Sequence, residues 1–100
     1  MNRMQEKIEL LKIIGLLDSM YYDALKIDDA TCFYFLPKTA IRLQHDNCNE
    51  RIVDLIWACC ELEDIESIIP QKLKTKIFKL KERALELLKT YEPFSGTEWI

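Results

Sequence analysis

The 100-residue sequence predicts an all-α fold: residues 1–100 as a single compact domain of four to five helices with a docked C-terminal tail. Three observations lead there. Apolar residues recur at three- and four-residue steps through most of the chain, the period of one helix face. Only two glycines and three prolines occur, too little punctuation for the many turns of an all-β domain. Hydrophobic residues make up 49% and charged residues 31%, which supplies a core and argues against disorder. A chain this long buries roughly 65% of its unfolded surface, enough for one core without metal or disulfide staples.

The first helix is expected from about Asn2 to Ile27. Leu10, Ile13, Ile14, Leu17, Met20, Tyr21, Ala24 and Leu25 share one face, while Gln5, Lys12, Ser19 and Asp23 make the wet side. Gly15 interrupts this helix at a cost of ~1 kcal/mol relative to Ala, which fits either a close neighbour or simple tolerance at an exposed site. Asp28 is placed to cap a short second helix through Cys32, Phe33 and Phe35, with Tyr21, Phe33 and Phe35 expected in the core. Leu36 precedes a proline and is pushed out of helical geometry. Pro37 suits the first turn of a third helix, which should run to about His45. Asn47 with Glu50 resembles a capping box.

The fourth helix, about Cys48 to Ser67, carries two apolar stripes. One is Ile52, Leu55, Cys59, Leu62 and Ile65; the other is Val53, Ile56, Trp57 and Cys60. A helix apolar on two sides sits between neighbours, so this one is expected at the centre. Pro70 opens the last helix, which should end near Tyr91 because Glu92 precedes Pro93. Its seam is Leu73, Ile77, Leu80, Ala84, Leu87 and Tyr91. Phe94, Trp99 and Ile100 are large groups for a free tail, so the tail is expected to dock back.

Charge divides the chain. Residues 1–69 carry 13 acids and 7 bases, residues 70–100 carry 4 acids and 7 bases, and the whole has a net charge of −3. The run Glu61-Leu62-Glu63-Asp64-Ile65-Glu66 extends an acidic edge begun by Glu50 and Asp54, able to steer a basic partner; pairing with the nearby basic helix would equally explain it. Asp54, Glu61 and Asp64, with Trp57 and Trp99 as aromatic anchors, are the expected partner-binding residues. Lys72, Lys76, Lys79 and Arg83 form a basic ridge on the last helix, fit for phosphate or an acidic protein surface. The acidic net charge weakens the nucleic-acid version.

Catalytic chemistry finds no set of roles. His45 and Cys48 stand near metal-ligand spacing, but a second ligand pair of suitable geometry is missing. Nothing ties His45 to another thiol as a nucleophile's base, and the two glycines make no phosphate loop. Neither an enzyme nor a cofactor is expected. The N-terminal stretch lacks the apolar core of a secretory signal. Ala30–Pro37, the longest uncharged stretch, falls short of the ~20 residues a membrane span needs. A cytoplasmic protein with four reduced cysteines is therefore expected.

The Gly15-Leu16-Leu17-Asp18 helix, the Asp28-Asp29-Ala30 turn, Leu36-Pro37, and the acidic run before Pro70 give the chain a layout that resembles small bacterial immunity proteins. These are encoded beside toxins of contact-dependent growth inhibition and other polymorphic systems. The resemblance implies a cognate toxin domain, often a nuclease with a basic cleft, blocked by a tight complex. It assigns no residue a role. A nucleic-acid-associated regulator using the basic ridge, and a structural homo-oligomer burying the fourth helix, are the alternatives.

Overall fold

A computed structural model describes residues 1–93. Those residues are all-α, as the periodicity predicts, with no strand among them. They form α1 (Arg3–Tyr21), α2 (Ile27–Phe33), α3 (Pro37–His45), α4 (Glu50–Cys60), α5 (Leu62–Ile68), a 3-10 turn (Pro70–Lys72) and α6 (Leu73–Leu88). Four helices have nine residues or more, and α2 and α5 have seven each. The expected docked tail and Trp99 lie outside the described residues.

Helix ends differ most from the sequence reading, and each difference has a local cause. α1 stops at Tyr21 rather than Ile27 because Asp23 takes a left-handed conformation, φ 60°. Ala24 then donates to the Ser19 carbonyl at 2.8 Å and Asp23 to Met20 at 3.1 Å, the paired bonds of a Schellman cap. α3 ends the same way. Asn47 stands at φ 58°, Cys48 donates to Leu43 at 3.0 Å and Asn47 to Gln44 at 3.1 Å. Asparagine and aspartate tolerate this region better than other non-glycine residues, so they end helices here without glycine.

Left-handed backbone disqualifies Asn47 as the cap of α4, which needs extended geometry. Asn49 caps it instead, its side chain accepting from the Arg51 amide at 2.9 Å. Asp28 is likewise not a cap; it lies in the first turn of α2, whose N-cap is Lys26. Leu36-Pro37 behaves as expected, with Pro37 opening α3.

The expected single fourth helix is broken. The Glu61 amide donates to Ala58, three residues back, at 3.2 Å, a tightened turn that separates α4 from α5. Most of both predicted stripes is still buried: Ile52, Leu55, Cys59 and Leu62 of the first and Val53 and Ile56 of the second are inaccessible or nearly so, whereas Ile65 and Cys60 are half-buried and Trp57 is exposed. The buried ones meet Leu10, Ile13 and Leu17 of α1 and Ile77, Leu80 and Ala84 of α6 in one core cluster. The most extensive pairing joins α1 to α6; α3 packs on α4, and α2 on α5. Phe35 is buried and Tyr21 half-buried, but Phe33 is 72% exposed and its neighbour Tyr34 takes the core position. The last helix's seam is buried through Tyr91, although α6 itself closes at Leu88. A methyl group on Gly15 would meet nothing within 4 Å, so no close neighbour requires that glycine.

Candidate functional site

Asp54 and Trp57 lie one turn apart on α4 and point outward, with Trp57 40% exposed. Four residues further, Glu61 occupies the bend between the helices and is exposed. Glu50, Asp54, Trp57 and Glu61 thus follow one another at steps of 4, 3 and 4 along one edge. Asp64 is exposed in the first turn of α5, beyond the bend. The break therefore separates Asp64 from the α4 edge to which the sequence reading assigned it.

Two grooves border this edge. One, of about 610 Å³, runs between the end of α3 and α4 and is lined by Gln44, Asn47, Glu50, Val53, Asp54 and Trp57. The other, about 660 Å³, lies between α4 and α6 and places Arg51, Asp54 and Leu55 opposite Glu82, Arg83 and Leu87. Asp54 of the acidic edge and Arg83 of the basic ridge thus line a common groove, with Glu82 and Glu86 of α6 beside them.

The pairing of α6 cations is uneven. Lys81 meets Asp18 at 3.0 Å, which raises the lysine pKa. Lys74 meets Asp23 at 3.0 Å and also donates to the Tyr21 carbonyl. Both anchor α6 to α1. Lys72, Lys76, Lys79 and Arg83 point elsewhere, and none lies within 4.0 Å of a carboxylate among the described residues. The same holds for Asp54, Glu61 and Asp64. Direct ion pairing between ridge and edge, one explanation for the acidic run, is therefore not made among those residues.

Sequence reasoning missed a buried polar junction beneath α4. Glu6 and Glu9 on α1 are only 7% and 6% exposed. Glu6 accepts from the Tyr91 hydroxyl at 2.9 Å and the Asn49 amide at 2.7 Å. The Asn49 side-chain amide in turn donates to the Tyr91 oxygen at 3.2 Å. Glu9 accepts from the Tyr34 hydroxyl at 3.0 Å and pairs with Lys12 at 3.1 Å and Arg42 at 3.6 Å. A signal was available. Glu6 extends the stripe Leu10, Ile13, Leu17 and Met20 by one helical step toward the N-terminus, so periodicity puts it on the core face.

Burial and the two glutamates push the Cys48 thiol up to about 11. Burial raises Tyr34, Cys59, Cys60 and Tyr91 as well. All four cysteines are free. His45 is exposed in the last turn of α3, whereas Cys48 is buried. No three His, Cys, Asp or Glu side chains converge as metal ligands among the described residues, and no described helix is long and apolar enough to cross a membrane.

Fold and surface define a small all-α domain with a charged, aromatic-bearing edge beside a basic ridge. Residues 2–100 match one family model, and the chain belongs to that family, described as protein of unknown function (DUF3969). No similar protein was found among curated proteins or solved structures.

Proposed function

We propose that this protein works by binding another protein, most specifically as an immunity protein. It would neutralise a cognate bacterial toxin, such as a nuclease, by covering a basic active-site cleft. The observation that carries the reading is the α4 edge, where half-exposed Trp57 stands between Asp54 and Glu61, neither of them in an ion pair within the described residues. Exposed tryptophan is a favoured anchor of interfaces. Flanking carboxylates would stand where a nuclease holds phosphate, and close charge pairs of this kind couple by ~1.5–7 kcal/mol.

The test is to isolate the partner by co-purification and compare its affinity for the native chain, Trp57→Ala and Glu61→Lys. Both variants should bind at least tenfold more weakly while retaining the native circular dichroism spectrum. Unchanged affinity in the folded variants would remove this edge from the interface.

The ridge cations, Lys72 in the 3-10 turn and Lys76, Lys79 and Arg83 on α6, have no carboxylate partner among the described residues and favour a second reading, a nucleic-acid-associated regulator. Binding that falls steeply with added salt, by roughly 0.7–0.9 log units of affinity per log unit of salt for each phosphate contacted, would select it.

A further inference from the structure

The acidic edge and the basic ridge share one register. Glu50, Asp54, Trp57 and Glu61 stand at steps of 4, 3 and 4 on α4 and its bend, and Lys72, Lys76, Lys79 and Arg83 stand at the same steps across the 3-10 turn and α6. Each set spans eleven residue steps, about 16 Å at helical rise. The two sets approach each other at the groove between α4 and α6, where Asp54 faces Arg83 beside Arg51, Glu82 and Glu86.

We infer that this face is self-complementary and that a second copy of the chain docks on it with two-fold symmetry. A two-fold axis through the groove sets α4 of one copy over α6 of the other, and α6 of the first over α4 of the second. That arrangement is isologous, using the same patch on both copies and closing at a dimer. Three carboxylates per α4 then meet the four cations of the opposite ridge. Trp57 occupies the remaining step, where a lysine ammonium can stand over its ring face. The same charges that find no direct partner within the monomer are satisfied twice over in the pair. The inference is independent of any foreign partner; if such a partner uses the α4 edge, it competes with the second copy.

The experiment is solution mass by light scattering on the purified chain, together with two charge-reversed variants, each first shown to retain the native helical spectrum. Asp54→Lys with Glu61→Lys makes both stripes basic; Lys72→Glu with Lys79→Glu makes both acidic. The native protein should show twice the monomer mass at low ionic strength and revert toward the monomer in about 1 M salt, where the Debye length is about 3 Å. Each variant alone should be monomeric, and an equimolar mixture should recover the dimer mass, because basic stripes then face acidic ones in both contacts. A native protein that stays monomeric at low salt would overturn the inference. So would a dimer that survives both reversals, or a mixture that stays monomeric.

Discussion

Glu6 and Glu9 occupy positions where ionisable groups seldom go, and each is kept there by donors from distant parts of the chain. Removing the Glu6 carboxylate strands the Tyr91 hydroxyl and the Asn49 amide in a water-poor junction. Leaving buried donors unpaired costs about 1–3 kcal/mol, so Glu6→Ala should lower the unfolding free energy in urea by that order. Glu6→Gln keeps an acceptor and should lose less. Leu62→Ala, at a wholly inaccessible site, should cost about 2–5 kcal/mol. Phe33→Ala, at an exposed one, should stay within about 0.5 kcal/mol. Cys48 adds a pH dependence. Its folded-state pKa of about 11 lies above the ordinary 9.0, so the folded state holds a proton that the unfolded chain releases between those values. Stability should therefore be unaffected by this thiol below pH 9 and fall as pH rises toward 11, a trend that Cys48→Ala should reduce in denaturation series across that range.

Among the elements, hydrophobic period carried most of the prediction, and cap chemistry accounts for most of what departed from it. The α6 seam from Ile77 to Tyr91 and the α4 stripe from Ile52 to Leu62 were legible because three- and four-residue steps report burial directly. The end of α3 near His45 was legible too, but the end of α1 was not. Asp23 and Asn47 adopt left-handed backbone and close local caps, which the apolar period does not register. The break at Glu61 was hidden for a related reason: Ile52 through Leu62 keep one buried stripe across it, so periodicity alone reads straight through. Of the proposed edge, Asp54, Trp57 and Glu61 were placed together by spacing, whereas Asp64 was separated by that break. Two substitutions test the element view. Asn49→Ala removes the α4 cap and should destabilise by about 0.5–2 kcal/mol. Gly15→Ala, where an added methyl meets open space, should stabilise α1 by roughly 0.4–1 kcal/mol. Both are read from chemical denaturation midpoints at constant slope.

At the scale of the whole molecule, the polar contacts gather the chain's distant parts. Arg3 donates to the Thr90 carbonyl at 2.9 Å and lies 4.1 Å over the Tyr91 ring, and Lys7 donates to the Glu92 carbonyl at 2.8 Å. The segment following α6 is thus held against the first turns of α1, near the Asn49 cap of the helix proposed to meet a partner. Tyr91→Phe deletes one link in that arrangement without changing the ring. Its loss should be non-additive with Glu6→Gln, with a coupling of about 0.5–3 kcal/mol as found for groups in one network. A double-mutant cycle in urea checks this, and additivity within a few tenths would show that the two groups act independently.

The pairing of α1 with α6 also fixes an order of events during synthesis. Of the described helices, α1 finds its main packing partner only when α6 has emerged. Until then Leu10, Ile13 and Leu17 lack the Ile77, Leu80 and Ala84 surface that completes their burial. A nascent chain halted before Pro70 should therefore be protease-sensitive, and protection should arrive in one step once α6 clears the ribosome. For this domain, folding on the ribosome is a closing event, triggered by the segment from Pro70 onward and not accumulated along the way.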